Sequence, residues 1–222
     1  MAMPEENTNT TRALRGLEDD SASVRLQAVL AIGTTPDPSY VDKLIERCAV
    51  EPDFYVRDML TWALTRHPAS VTVPKLVEQL GSERTQARSQ ALHTLSKVGD
   101  RRAWPAITRE LLTDADDEVA RSAWRAAVVL VPEDDKPGLA EVLATQLGRG
   151  GRETRLSLSR ALIALGEVIL PVLRAAMTDP DPGVRLHATA TERLWRDPEA
   201  GFEFAIEEAK RVSVLGTASH AG

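Results

Sequence analysis

The sequence predicts an all-α protein, a right-handed α-solenoid of about six antiparallel helix pairs followed by a C-terminal capping helix. The first observation is a row of arginines at spacings of 30 to 34 residues: Arg25, Arg57, Arg88, Arg121, Arg155 and Arg185. The second is a residue of mostly apolar type three positions after each arginine: Ala28, Leu60, Ala91, Trp124, Leu158 and Ala188. The third is a helix-stopping residue eleven positions after each of the first five: Pro36, Pro68, Gly99, Pro132 and Gly166. A repeat of this length indicates stacked units that bury their apolar faces against their neighbours.

Composition agrees with closely packed helices. Of the 222 residues, 43% are hydrophobic and only 4% are aromatic. A β-sandwich would be enriched in β-branched and aromatic residues. The repeat extends along most of the chain, so we expect one continuous array rather than two separate domains.

Charge and cysteine content exclude several classes of function. The net charge of −6 argues against non-specific binding of nucleic acid, although a local basic patch remains compatible with it. Cys48 is the single cysteine, so neither an intrachain disulfide nor a cysteine-based zinc site is expected, and its place on an apolar helix face predicts an inert buried thiol. No apolar run approaches the roughly 18 residues of a membrane span, and the polar N-terminus does not resemble a signal peptide. We therefore expect a cytoplasmic protein that has no membrane contact.

The repeat register divides the chain into segments. Residues 1–9 are polar and unpatterned and predict a disordered tail, and the solenoid is expected over residues 10–212. The six repeats are predicted at about 10–36, 39–68, 71–99, 103–132, 136–166 and 168–197. Residues 199–212 form an amphipathic pattern that predicts the capping helix, and the small polar residues 213–222 predict a second disordered tail.

Within each repeat, the pattern predicts two helices separated by a polar turn. In the first repeat, Thr10 or Thr11 starts a short helix that runs to Glu18, and a second helix carries Arg25 and ends before Pro36. The other predicted pairs are Tyr40–Val50 with Phe54–Arg66, Val73–Leu80 with Thr85–Val98, Ala103–Leu112 with Glu118–Val131, Leu139–Leu147 with Thr154–Leu165, and Val168–Met177 with Val184–Trp195.

Particular residues are predicted to begin and end these helices. Asp53 is expected to cap the helix that follows it, and Gly99 is expected to close its helix in the left-handed conformation. Pro74, Pro105 and Pro171 are each expected near the start of a first helix, where a missing N–H costs nothing.

An Asp-rich turn followed by Val-Arg-x-x-Ala and a closing Leu-Gly resembles HEAT-like repeats of the short bacterial type, including those of bilin lyases. The best copies are Thr178–Ala188 and Arg88–Asp100. The resemblance implies the solenoid fold. It leaves function open, because such repeats occur in scaffolds, adaptors, bilin-lyase subunits and a few DNA-repair enzymes.

The resemblance also implies a structural ladder of aspartate–arginine pairs between neighbouring units. Its members would be Asp20 with Arg25, Asp53 with Arg57, Asp117 with Arg121, and Asp181 with Arg185. The unit of Arg88 has Glu83 nearby in place of the aspartate, and the unit of Arg155 has Gly150 and Gly151. The arginine row is therefore interpreted as structural rather than as a track for phosphate groups.

Two groups of residues are candidates for binding. Trp62, His93 and Arg160 share one register position, on the face that second helices present to the inside of the curve, and they are predicted to line a concave binding surface.

Arg149, Arg152 and Arg155 belong to the glycine-rich segment 148–155 at a helix start, where backbone N–H groups and arginines could bind an anion. The alternative reading of this segment is an inter-helix turn with solvated arginines. His67, His93, His187 and His220 show no metal-ligand spacing, so no metal and no cofactor are expected.

The sequence favours a non-catalytic protein–protein interaction module (an adaptor, scaffold or regulatory subunit) that binds a protein partner along its concave helix face. No nucleophile with a base and an orienting group appears in it. One alternative is a HEAT-like DNA glycosylase or another nucleic-acid-binding protein, although the acidic charge makes nucleic acid the less expected partner. A further alternative is a bilin-lyase-like or small-ligand-sensing subunit. Both alternatives remain open at this point.

Overall fold

The computed structural model describes residues 12–198 and Ile206, and all regular structure in these residues is helical. The chain forms two compact units that divide between Thr108 and Arg109. Each unit is a stack of antiparallel helix pairs joined by short turns. We refer to the helix after each Asp-rich or glycine-rich turn as the second helix of its pair.

Unit 1 begins with a helical segment, residues 12–16. Its helices are α1 (Ala22–Thr34), α2 (Val41–Cys48), α3 (Phe54–Thr65), α4 (Ala69–Gln79) and α5 (Thr85–Val98), with 3₁₀ turns at Pro38–Tyr40 and Arg101–Ala106. The second helices α1, α3 and α5 pack side by side, and the first helices α2 and α4 pack against α3 and α5 respectively.

Unit 2 repeats this arrangement. Its helices are α6 (Arg109–Leu112), α7 (Asp117–Leu130), α8 (Lys136–Ala144), α9 (Arg152–Ala164), α10 (Leu170–Ala176) and α11 (Pro182–Arg196), with 3₁₀ turns at Glu133–Asp135 and Gly166–Ile169. The second helices α7, α9 and α11 pack side by side, while α6 packs on α7 and α10 packs on α11.

The predicted inward column forms part of the core. All six of its residues are buried: Ala28, Leu60, Ala91, Trp124, Leu158 and Ala188. The Trp124 side chain is fully buried, and its indole Nε1–H donates to the Leu112 carbonyl oxygen at 2.8 Å. This burial confirms the inward register, since one residue in every turn of a second helix must face its first helix.

The local signals for helix ends are confirmed. Asp53 Oδ1 accepts hydrogen bonds from the backbone N–H groups of Tyr55 and Val56, at 2.9 and 3.1 Å, and so caps α3. Gly99 closes α5 with a φ of 68°, a left-handed conformation that glycine adopts without cost. Pro171 occupies the first turn of α10, as expected.

The positions of Pro74 and Pro105 were predicted wrongly. The α4 helix begins at Ala69, because the N–H groups of Val71 and Thr72 already bond to the Pro68 carbonyl oxygen, so Pro74 lies inside the helix. Pro105 lies in a 3₁₀ turn that ends at Ile107, whose φ of −84° and ψ of 84° are not helical. The predicted helix Ala103–Leu112 is therefore a 3₁₀ turn followed by the short α6.

One residue of the predicted capping helix is described. Ile206 is helical and packs with Leu186, Ala190 and Leu194 on α11. The rest of that helix, the predicted caps Thr10 and Thr11, and the predicted tails 1–9 and 213–222 lie outside the described residues.

The register arginines bind backbone carbonyls rather than aspartates. In four of the six turns, Nη1 of the arginine donates to the two carbonyl oxygens that lie six and five residues before it. The pairs are Asp19 and Asp20 for Arg25 (both 2.8 Å), Glu51 and Pro52 for Arg57 (3.0 and 2.8 Å), Ser82 and Glu83 for Arg88 (2.8 and 3.2 Å), and Asp179 and Pro180 for Arg185 (2.7 and 2.8 Å). These turn-binding arginines bind carbonyl oxygens of the turn itself, three and four residues after the end of the first helix.

The expected aspartate–arginine ladder is therefore corrected. Asp53 and Asp181 use their carboxylates to cap α3 and α11, and Asp20 contributes its carbonyl oxygen to Arg25. Asp117 binds Arg149 of the next turn, and Arg121 binds Glu118 of its own helix. The aspartates take these roles because a short carboxylate at a helix start lies closest to the first free N–H groups.

The side-chain carboxylate of Glu51 accepts four hydrogen bonds. It is fully buried and accepts hydrogen bonds from Arg25 (two, both 2.7 Å), Arg47 (2.8 Å) and the N–H of Asp53 (2.9 Å). Burial alone would raise the pKa of this carboxyl, but the hydrogen bonds outweigh it and lower the pKa to about 2. Since Arg25 lies on α1 and Glu51 precedes α3, this ion pair joins two neighbouring repeats.

We expect Glu51→Gln to lower the free energy of unfolding of unit 1 by about 3–5 kcal/mol, because it leaves the buried Arg25 guanidinium group without its counter-charge and removes the nearer carboxylate from the half-buried Arg47. Urea denaturation of the purified protein measures this. Glu46→Gln is the matched control, since Glu46 is 61% exposed and pairs only with Lys43, and it should change stability by about 0.5 kcal/mol or less.

The Glu51 contribution should also depend on pH. It is fully present above the ordinary glutamate pKa and is lost as the pH falls towards 2, because the unfolded state then binds the proton first. Equal losses in Glu51→Gln and Glu46→Gln would contradict a central role for Glu51.

Candidate functional site

The predicted concave residues fall in both units. Trp62 on α3 and His93 on α5 are half-buried and hold equivalent positions on adjacent second helices of unit 1. The Trp62 ring lies on Gly33 of α1, where any Cβ would collide with it, so the glycine makes room for the indole. Arg160 is exposed on α9 of unit 2. The structure therefore brings Trp62 and His93 to neighbouring helices and assigns Arg160 to a different unit.

The same register position is not exposed in every repeat. Ala126 and Ala190 occupy it in α7 and α11, and both are fully buried. In α1 the position belongs to Leu30, which is 40% exposed. In unit 1 it thus forms a short row of Leu30, Trp62 and His93 along three packed helices.

An exposed aromatic pair at the start of α3 was missed by sequence reasoning. Phe54 and Tyr55 are 68% and 74% exposed, and their rings meet edge to face with centroids 5.8 Å apart. The guanidinium carbon of Arg57 lies 5.9 Å from the centre of the Phe54 ring, within cation–π range. Asp53 fixes the helix start, and the inward positions are Val56 and Leu60, so the two aromatic side chains face away from the core. This offset from the inward register was the signal available in the sequence.

The glycine-rich turn holds Arg149 internally. Its Nε donates to Asp117 Oδ1 and its Nη1 to Gln146 Oε1, both at 3.0 Å, while its Nη2 binds the carbonyl oxygens of Asp114 and Ala115. Gly150 has a φ of 66°, and a Cβ there would lie 2.8 Å from the Asp117 carboxylate. Arg149 is thus neither a solvated arginine nor one with donors to spare for an anion.

The other two arginines of that candidate site have different surroundings. Arg152 is exposed and pairs with Glu153 at 2.9 Å. Arg155 is half-buried, and its Nε is buried with no hydrogen-bond partner among the described residues. The three arginines of the segment therefore do not share one set of free donors.

A buried Ser159–His187 pair has the composition of a hydrolytic dyad but not its chemistry. His187 Nδ1 accepts the Gly148 N–H at 3.0 Å, so the ring proton resides on Nε2, which lies 3.0 Å from both Ser159 Oγ and the Arg155 carbonyl oxygen. A general base needs a free nitrogen facing the hydroxyl, and here that nitrogen carries the proton. Both side chains are also buried, with exposures of 0% and 1%.

The surroundings of Ser159 support a structural role. Its hydroxyl lies 2.8 Å from Thr191 Oγ1, which donates to the His187 carbonyl oxygen. Thr61 and Thr94 form the equivalent hydroxyl pair between α3 and α5 at 3.3 Å. Buried hydroxyls thus satisfy each other between neighbouring second helices in both units.

Other candidate residues are also placed by their contacts. Cys48 is buried, as predicted, and burial raises the pKa of its thiol to about 12. His67 is buried with its two ring nitrogens facing the carbonyl oxygens of Ala63 and Asp37.

Within residues 12–198 and Ile206, no three His, Cys, Asp or Glu side chains are grouped closely enough to hold a metal ion. None of the helices in that part of the chain is long and apolar enough to cross a membrane.

Stacked antiparallel helix pairs in one register define an α-helical repeat protein of the solenoid class. Residues 41–129 match the family model for HEAT repeats. This match confirms the resemblance over that part of the chain.

Three solved structures are similar to the chain. The complex of CpcE and CpcF of phycocyanin lyase from Nostoc sp. PCC7120 is 18% identical, with a TM-score of 0.50 over 90% of this chain and 86% of that one. Human deoxyhypusine hydroxylase in complex with glycerol is 16% identical, with a TM-score of 0.47 over 93% and 97%. An engineered protein is 18% identical, with a TM-score of 0.47 over 86% and 99%. None of the curated proteins compared with the sequence matches it. At this identity, the likeness to the phycocyanin lyase complex shows the repeat fold alone.

We expect the stability of unit 2 to fall as the pH is lowered from about 6.5 to about 4. Burial, with the nearby charge of Arg155, lowers the pKa of His187 to about 4, so the unfolded chain takes up a proton at a higher pH than the folded one. The free energy of unfolding falls by about 3 kcal/mol once the pH has passed through the whole interval between the two pKa values. Urea denaturation at a series of pH values measures it.

His187→Gln removes the titrating group and should flatten this pH dependence, whatever its effect on stability at neutral pH. His93→Gln is the control and should retain the dependence. An unchanged slope in His187→Gln would show that another group is responsible.

Proposed function

We propose that this protein is a non-catalytic interaction module that binds a protein partner, as an adaptor, scaffold or regulatory subunit. The observation that carries the proposal is the Phe54–Tyr55 pair, two large aromatic side chains exposed to 68% and 74% beside Arg57. Tyrosine and arginine are enriched in the few residues that dominate binding energy at protein interfaces, and an aromatic ring adds a large apolar area. The two rings contribute little to the core. They would therefore bury a large apolar area only when a partner binds.

The predicted concave surface is part of this proposal. In unit 1, Trp62 and His93 continue the row that Leu30 begins, and each retains some exposed surface. Repeat proteins commonly use the faces of adjacent helices as extended binding surfaces. We propose that Trp62 and His93 contact the same partner as the aromatic pair, and that Arg160 contributes in unit 2.

Two observations favour binding over catalysis. The buried serine–histidine pair lacks a free base nitrogen, and the HEAT-repeat architecture is a scaffold that serves many functions. The net charge of −6 disfavours the glycosylase alternative, because binding to duplex DNA is dominated by contacts to phosphates. Similarity to the phycocyanin lyase complex supports the repeat fold of a scaffold, and it gives no reason to propose a ligand for this chain.

We expect the double variant Phe54→Ser/Tyr55→Ser to weaken partner binding by at least about tenfold, which corresponds to about 1.4 kcal/mol. A partner is first captured by crosslinking in lysate of the source cells and identified by mass spectrometry. It is then purified, and the dissociation constant is measured by isothermal titration calorimetry. Trp62→Ala and His93→Ala should give smaller losses in the same assay.

Val129→Ala serves as the matched control, because Val129 is also an exposed apolar residue, at 45%, but lies in unit 2. It should bind like the wild type. A dissociation constant that is unaffected by the double variant, in a protein that unfolds at the wild-type temperature, would refute the role of the aromatic pair.

A further inference from the structure

One position in the second helices carries an uncharged residue in every repeat except that of α7. This residue is buried in four of the helices, and in α11 it is the half-buried Thr189. This position lies four residues after the register arginine and faces the neighbouring second helix. Its occupants in α1, α3, α5 and α9 are 0–3% exposed: Val29, Thr61, Leu92 and Ser159. In α7 the occupant is Arg125, which is half-buried. A charge at such a position needs a counter-charge or a function, because desolvation of an ion is expensive.

The register arginine of the same helix also departs from its usual role. The pattern of the other turns assigns to Arg121 the carbonyl oxygens of Ala115 and Asp116, and Arg149 binds the first of these instead, together with that of Asp114. Arg121 is left to pair with Glu118 one turn earlier, at 3.0 Å. The Glu118 side chain is 68% exposed, so this pair contributes little and can be exchanged at small cost.

These two departures place two positive charges one helical turn apart. The Nε groups of both Arg121 and Arg125 are buried and have no hydrogen-bond partner among the described residues. Arg125 makes one hydrogen bond in that part of the chain, from Nη2 to Ser122 Oγ at 2.9 Å. Burial and the charge of Arg121 lower the pKa of Arg125, while Glu118 partly opposes them. Like charges at this spacing destabilise a helix, and the exposed Glu118 offsets this repulsion only in part.

We propose that Arg121 and Arg125 form an anion site that binds a carboxylate side chain from an acidic segment of a protein partner. The site rests on the proposed function, since it names the chemistry by which the partner is recognised in unit 2. A carboxylate placed between the two guanidinium groups would accept hydrogen bonds from both and replace Glu118 on Arg121. Arg155 on the adjacent α9 carries a further buried Nε without a partner in the described chain, which extends the positive surface.

The surroundings favour a carboxylate over a nucleic acid. The Arg121 side chain is 22% exposed and Arg125 is half-buried, while Ala123, Ala126 and Ala127 of the same helix are fully buried. A single aspartate or glutamate side chain can reach such a recessed pair, whereas a nucleic-acid backbone needs several accessible cations. The acidic chain as a whole repels a polyanion but leaves this local contact available.

The test uses a fluorescein-labelled hexaglutamate peptide and the full-length protein, with binding followed by fluorescence anisotropy at low and at physiological salt. We expect the wild type to bind the peptide and Arg125→Leu to weaken binding at least about tenfold. The same variant should unfold at a higher temperature than the wild type, because leucine restores the pattern of the other repeats. Arg121→Gln should weaken binding without that gain. Arg174→Gln is the charge-matched control, since Arg174 is exposed on the first helix α10.

The outcomes separate the alternatives. Equal weakening by Arg174→Gln and Arg125→Leu would mean non-specific attraction and overturn the site. Absence of peptide binding at low salt would overturn it as well. Tighter binding of a labelled single-stranded DNA, lost in the same two variants, would replace the acidic peptide by a nucleic acid. A negative result for the Arg121–Arg125 site would not bear on the role proposed for the aromatic pair of unit 1, because Phe54→Ser/Tyr55→Ser is tested separately with the captured partner.

Discussion

Hydrogen bonds from an arginine to the carbonyl oxygens of its own turn hold the two helices of a repeat in place. The contact recurs at Arg25, Arg57, Arg88 and Arg185, always to the carbonyls six and five residues earlier. A turn between two helices presents carbonyl oxygens that belong to neither helix, and a guanidinium group can bind two of them at once. The fixed spacing of arginine to turn then aligns the inward column, so packing of the second helices depends on this contact.

Charged side chains also make contacts between neighbouring repeats. Arg25 reaches Glu51 of the next repeat, and Asp117 binds Arg149 of the turn that follows it. In the α7 turn, Arg149 binds one of the two carbonyl oxygens that the pattern assigns to Arg121. Arg125 of the same helix lies at a position that the other repeats fill without charge. Departures of this kind from an otherwise consistent pattern are where function is expected, because the fold gains nothing from them.

The parts of this structure that could be predicted from sequence are those set by local chemistry. Asp53, Gly99 and the inward column were correct, since each follows from a helix end or from helical periodicity. The aspartate–arginine ladder was wrong because the reach of a long side chain depends on which oxygens the turn presents, and repeat spacing does not contain that information. Pro74 was misplaced because a helix can begin before a proline that it tolerates. Phe54 and Tyr55 were overlooked, although their offset from the inward register already indicated that they face away from the core.

The central claim is that the register arginines are structural, and the stabilities of arginine-to-methionine variants test it most directly. Methionine keeps an unbranched apolar stem and removes every donor. Urea denaturation of Arg57→Met and Arg185→Met should show losses of about 1.5–3 kcal/mol each, the usual contribution of hydrogen bonds to a charged group. Arg160→Met, at an exposed site, should stay within about 0.5 kcal/mol of the wild type. Equal stabilities of all three variants would contradict the account and return the arginine row to a role in binding.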